Sequence, residues 1–127
     1  MSDDRGVVLD SGALIALEKR SAVMVQLAKL FVDERTPLVT SAGVVAEVWR
    51  GGARRQVPVA FLLAHASVVD LTLAAARVLG RMLGAAGRSD PVDAHVVLLA
   101  RQRGWPVLTS DPDDLLAIDP TLRIEVV

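Results

Sequence analysis

Four carboxylates lie far apart in the chain, each where a strand gives way to a helix or in the helix just beyond: Asp10, Glu47, Asp93 and Asp111. Asp10 ends the apolar run Val7-Val8-Leu9. Glu47 lies on a helix predicted after a second strand. Asp93 falls in the first turn of a later helix, two residues after Pro91. Asp111 follows the strand that ends in Thr109. In a parallel sheet such junctions share one rim, the edge at which open α/β sheets bind ligands. Gathered carboxylates repel and raise one another's pKa unless a cation neutralises them. Oxygen-only ligands select Mg²⁺ or Mn²⁺ over zinc. An ion of that kind accepts phosphate oxygens and activates water for attack on phosphorus, so the reaction class that follows is phosphodiester hydrolysis.

Each acid also has a plain structural reading. Asp10 stands where a helix cap or a sheet-end residue would stand, although Ser11 beside it is free to cap. Glutamate on a helix is usually solvated, but Val44, Val45 and Val48 mark the stretch around Glu47 as inward-facing. Asp93 suits simple compensation of a helix dipole. Asp90 reads as the N-cap of the Pro91 helix and belongs behind the ligands. Asp111 suits the N-cap of its own helix, with Asp113 and Asp114 favouring that first turn; Asp114 competes with Asp111 as the fourth acid. The weight lies in the order and position of the four together.

The elements that must position these groups alternate short apolar strands with helices. Strands are expected at 7–10, 37–40, 67–71, 106–109 and 123–126, the last at an edge. Helices are expected from Ser11 to about Arg20, Ser21 to about Glu34, Ser41 to the Gly51-Gly52 break, and Val57 to Ala66. Further helices run from a Thr72 cap to about Ala86, from Pro91 through Ala100, and over Leu115 and Leu116. This alternation predicts one α/β domain over residues 1–127, three-layer α/β/α, around a central, mostly parallel sheet of about five short strands. With 52% hydrophobic and only 3% aromatic residues, the core is Ala, Val and Leu, as strands buried on both faces require.

Composition narrows the function classes. The 14 basic and 15 acidic residues leave a net charge of −1, so binding to nucleic acid by bulk charge is excluded and any such contact is local. Arg50, Arg54 and Arg55 form the strongest local basic patch, fit either to clamp RNA phosphates or to favour a helix C-terminus. The absence of cysteine excludes disulfides and thiolate metal sites. Met1-Ser2-Asp3-Asp4-Arg5 lacks the basic and apolar regions of a signal peptide, and no apolar run approaches the ~20 residues of a membrane helix. A cytoplasmic protein without a membrane partner is expected. His65 and His95 have no partner at ligand spacing, and Trp49 and Trp105 read as packing or interface residues.

The segments Val8-Leu9-Asp10-Ser11-Gly12-Ala13-Leu14, Ser41-Ala42-Gly43-Val44-Val45-Ala46-Glu47-Val48, Pro91-Val92-Asp93-Ala94-His95-Val96 and Val107-Leu108-Thr109-Ser110-Asp111 occur in this order across essentially the whole chain. In this the chain resembles the PIN-domain nucleases, and among them the VapC-type toxins of bacterial toxin-antitoxin pairs. The resemblance implies a PIN-like fold and Mg²⁺- or Mn²⁺-dependent endonucleolytic cleavage of RNA. It implies that Asp10, Glu47, Asp93 and Asp111 hold the metal and that Ser11 and Thr109 help shape the site. It also implies a homodimer silenced by a cognate antitoxin that covers the active-site groove. Two departures stand out: Val96-Val97-Leu98-Leu99 replaces the small alanines that often follow the third acid, and the fourth acid is the family's most variable position. The competing reading is a catalytically silent PIN-like protein-binding module, against which the four retained acids count. A phosphoryl-transfer enzyme of another α/β class lacks its expected second aspartate near Asp10 and its late lysine.

Overall fold

The computed structural model describes residues 6–127; the Met1–Arg5 stretch read above for a signal peptide lies outside the described residues. Five strands form one sheet: β1 (Val7–Leu9), β2 (Leu38–Ser41), β3 (Ala66–Val69), β4 (Val107–Thr109) and β5 (Ile124–Val126). Their order is β3-β2-β1-β4-β5 and every pairing is parallel. Val8 sits at the centre, opposite Val39 on one side and Val107 on the other. The expected α/β/α architecture is therefore present, with β5 at one edge as predicted and β3 at the other.

Among the described residues, seven α-helices connect the strands: α1 (Ser11–Glu18), α2 (Ala22–Asp33), α3 (Ala42–Val48), α4 (Val57–Leu63), α5 (Leu73–Ala86), α6 (Pro91–Arg103) and α7 (Pro112–Ile118). From β1 the chain moves one way across the sheet to β2 and β3, then returns past β1 to β4 and β5. Right-handed crossovers put the helices of the two journeys on opposite faces. Accordingly α1 packs with α2, α3 and α4, while α6 packs with α5 and α7. Val8, Leu9, Val107, Leu14, Val96 and Val97 fill the core between the layers at 2% exposure or less. The chain reverses direction between β1 and β4, which makes the carboxyl ends of those two strands the ligand crevice of such a sheet.

Most boundaries shift by a residue or two, and two shifts bear on the site and its surroundings. The helix predicted for 57–66 ends at Leu63, because Ala66 begins β3, leaving Asp70 and Leu71 in the connection to α5. Strand β2 runs one residue later than predicted, so Ser41 ends the strand and caps α3 at once, accepting the Val44 N–H at 3.1 Å. Side chains also cap α2 (Ser21), α5 (Thr72) and α6 (Asp90). No helix among the described residues is long and apolar enough to cross a membrane.

Candidate active site

Strand β1 stops at Leu9, and Asp10 occupies the N-cap position of α1, making Ser11 the first helical residue rather than the cap. The Asp10 side chain does not cap, although an aspartate cap contributes about 1 kcal/mol where it forms. It turns to β4 instead, where the Thr109 hydroxyl donates to Asp10 Oδ2 at 2.8 Å. The same hydroxyl oxygen accepts the Asp111 N–H at 3.1 Å. One threonine thus ties the ends of β1 and β4 together. On the other side of β1, Thr40 donates to the Leu9 carbonyl at 2.7 Å. Sequence reasoning missed Thr40, although a Thr-Ser pair closes β2 at 40–41 and another straddles the end of β4 at 109–110.

Close packing keeps these ends together. A Cβ on Gly12 would lie 2.3 Å from Ser110 Oγ and 2.8 Å from the Ser110 nitrogen. Only glycine lets the first turn of α1 approach the β4–α7 connection this closely.

Asp10 is 5% exposed, and its Oδ1 is the buried side-chain oxygen that lacks any hydrogen-bond partner among the described residues. Leaving a buried acceptor bare costs about 1–3 kcal/mol, and more for a charged one. Burial drives the Asp10 pKa upward, Asp111 and Asp90 add to the rise, and the Thr109 hydroxyl and Ser11 amide oppose it.

The other acids act electrostatically on Asp10 or on one another. Asp93, half-buried in the first turn of α6, has its pKa pushed up to about 7, by burial first and then by Asp90, Asp10, Asp114 and Glu47. Glu47 is exposed, contrary to the inward-facing stretch expected: α3 turns Val44 and Val48 into the core and leaves Glu47 at the rim. Partial burial, Asp90 and Asp10 raise its pKa, against a hydrogen bond from the Ser11 hydroxyl. Asp111 is exposed, takes the N-cap position of α7 without capping it, and acts on Asp10. Asp90 caps α6 as predicted, its Oδ1 accepting the Val92 and Asp93 N–H groups at 2.9 and 3.3 Å. Asp114 faces Asp93 and pairs with Arg88 at 2.7 Å.

Among the described residues no three carboxylates or imidazoles stand close enough to form a ready-made metal cage. Magnesium does not need one, since it keeps several waters and takes one or two carboxylates directly. The bare Asp10 Oδ1 and the upward-shifted acids are what such a hydrated cation would relieve, so these residues fit the ion.

The expected basic patch is divided. Arg50 folds back on α3, donating to the Ala46 and Trp49 carbonyls at 3.2 and 2.8 Å, which is the helix-end role. Arg54 and Arg55 are exposed on a 3-10 turn (Arg54–Gln56). The buried Gln56 that follows holds the end of α3, donating to the Val48 carbonyl and accepting the Arg50 N–H, each at 2.7 Å. His95 is buried and its pKa is lowered, by burial first and then by Arg103. The His65 ring packs on Phe61, centroids 4.9 Å apart. Trp105 lies over Gly6, where a Cβ would fall 2.3 Å from the indole.

A parallel sheet flanked by helices on both faces, with acids at its reversal point, defines an α/β/α domain with an acidic crevice. The PIN domain family model matches residues 7–119. The chain belongs to the PIN domain family. Solved structures share the fold. The VapBC2 complex of Rickettsia felis bound to a promoter DNA fragment matches with a TM-score of 0.68 and 15% identity, over 95% of this chain and 98% of that one. PAE2754 of Pyrobaculum aerophilum matches with a TM-score of 0.68 and 17% identity, over 97% and 85%. FitAB bound to a DNA fragment matches with a TM-score of 0.63 and 18% identity, over 94% of each chain. No curated protein matches the chain.

Proposed function

We propose that this protein is a Mg²⁺- or Mn²⁺-dependent endoribonuclease and the toxin of a toxin-antitoxin pair. The observation that supports this most is the buried, partnerless Oδ1 of Asp10 at the reversal point of the sheet, ringed by further acids. PIN domains are in general nucleases that use divalent ions. Asp10, Glu47, Asp93 and Asp111 would hold the metal. When bound, the ion supplies Lewis-acid activation of water and of the scissile phosphate. Thr109 fixes the Asp10 carboxylate by donating to Oδ2, which leaves Oδ1 free to face the ion. Ser11 orients Glu47 in the same way. Asp93, whose pKa is pushed up to about 7 by burial and the neighbouring acids, would hold the ion as its carboxylate. Asp90 stays engaged as a cap and adds negative charge without serving as a ligand.

An antitoxin partner is proposed from the VapBC2 and FitAB neighbours, both complexes on DNA. A homodimer and a cytoplasmic location complete the proposal, on the resemblance alone. A contribution of Arg54 and Arg55 to RNA binding fits their exposure.

The test is cleavage of RNA by the purified protein in Mn²⁺, with Asp10→Asn and Asp93→Asn in parallel. Cleavage by the wild type and loss in both variants, each still folded, is the expected result. Full activity in either variant would eliminate the site. An absence of both Mn²⁺ binding and cleavage would favour the silent binding module.

A further inference from the structure

An RNA strand entering this crevice meets six carboxylates: Asp10, Glu47, Asp90, Asp93, Asp111 and Asp114. One divalent ion cannot offset that charge for more than the phosphate it touches, so neighbouring phosphates need a cation from the protein. The arginines first considered lie after α3, and Arg50 is already committed to its own helix end. Arg88 is placed differently. It lies in the α5–α6 connection, two residues before Asp90, and its guanidinium reaches across to α7 to pair with Asp114 Oδ1 at 2.7 Å. Asp114 in turn is near enough to Asp93 to raise that group's pKa. The pair therefore bridges the α5–α6 connection and the first turn of α7 at the edge of the acidic cluster. The two side chains are 42% and 51% exposed.

Such a pair is a poor structural brace. Exposed ion pairs contribute about 0–1 kcal/mol and exchange partners readily. A guanidinium held by one carboxylate keeps spare donors, and its planar fork grips a phosphate in bidentate fashion. On the nuclease reading given above, on which this inference rests, we propose that Arg88 is an RNA-binding residue: it leaves Asp114 to grip a backbone phosphate adjacent to the one that is cut, and Asp114 parks it in position when no RNA is bound.

The proposal is tested by binding, separately from cleavage. The probe is a fluorescein-labelled, random-sequence 16-nucleotide single-stranded RNA, measured by anisotropy in Ca²⁺ to slow cleavage. The proteins are wild type, Arg88→Ala, Arg88→Lys, Asp114→Asn and the Arg88→Ala/Asp114→Asn double variant. Arg88→Ala is expected to weaken binding about 5–10-fold, and to lower the slope of log K against log salt by about 0.7, the amount for one lost phosphate contact on a single strand. Arg88→Lys recovers only part of the affinity, because the charge remains but the bidentate grip does not. Asp114→Asn tightens binding about 2–3-fold by releasing the guanidinium, and that gain shrinks in the double variant if the two residues are coupled. In Mn²⁺, Arg88→Ala raises KM for RNA cleavage and leaves kcat close to wild type. Wild-type binding and cleavage that Arg88→Ala leaves untouched, or an equal Asp114→Asn gain with and without Arg88, overturns this inference alone. A wild type that neither binds nor cuts RNA overturns the nuclease reading and the phosphate contact together.

Discussion

Two aspartates, Asp10 and Asp119, are equally buried, at 5% and 6% exposure, and each has a threonine beside it. Their surroundings are opposite. Asp119, at the end of α7, is complete: Oδ1 accepts the Thr121 N–H at 2.9 Å and the Thr121 hydroxyl at 2.6 Å, while Oδ2 faces Arg101 at 3.2 Å. Its pKa falls below the ordinary aspartate value, chiefly through Thr121. Asp10, at the start of α1, has the Thr109 hydroxyl on Oδ2, the Ser11 amide opposing its rise, no hydrogen-bond partner on Oδ1 among the described residues, and acids where Asp119 has an arginine. Its pKa rises. The first carboxylate is finished by the protein and holds the chain together. The second is left short of one positive partner, which is the place the proposed metal ion would take.

The strongest way to break this contrast is to neutralise each group. Asp10→Asn is expected to abolish Mn²⁺-dependent RNA cleavage while leaving the metal-free protein as stable as wild type or more so, since a buried charge without a partner is removed. Activity assays and thermal unfolding check the two halves. A large loss of stability would mean that Asp10 is structural after all. Next is Thr109→Val, which removes the donor to Asp10 and the acceptor for the Asp111 N–H. Loss of such an outer partner costs about 10–100-fold in metal affinity or activity, and Thr109→Ser restores most of it. Asp119→Asn should behave in reverse. It costs about 1.5–3 kcal/mol of stability through its charged hydrogen bonds, read by denaturant unfolding, with cleavage per folded molecule unchanged.

The smallest effect is on pH. The Asp93 pKa of about 7 lies above the ordinary value of 3.8, so near neutrality the folded protein holds a proton that the unfolded chain has released. Its contribution is present at low pH and is lost as pH rises through about 7. His95, with a lowered pKa, works in the opposite direction as pH falls. The measurable quantity is therefore the difference between wild type and Asp93→Asn in metal-free buffer. Wild type should lose ground to the variant as pH rises from about 4 to about 7 and hold level above that, and Mn²⁺ should restore it at pH 8.

The fold was legible because its signals are local. The strand at 7–9, the Pro91 start of α6, and the caps Ser41, Thr72 and Asp90 are each specified by a few adjacent residues. That acids gather at the carboxyl ends of the strands was suggested by parallel strand order, and Asp10, Glu47 and Asp93 do act on one another electrostatically. What stayed hidden depends on distant partners. Thr40 acts on the Leu9 carbonyl thirty-one residues away, and Arg88 on Asp114 twenty-six away. Gly12 carries a signal whose meaning, contact with Ser110, requires the folded chain. The exposure of Glu47 was misread because Val44 and Val48 mark one face of α3, and a residue one step short of Val48 need not share it.

Calorimetric titration of Mn²⁺ into wild type, Asp10→Asn and Asp119→Asn at pH 7.5 tests the central contrast most directly. The account predicts saturable binding to wild type with proton release, the same to Asp119→Asn, and none to Asp10→Asn. Undiminished binding to Asp10→Asn, or no binding to wild type, would contradict it.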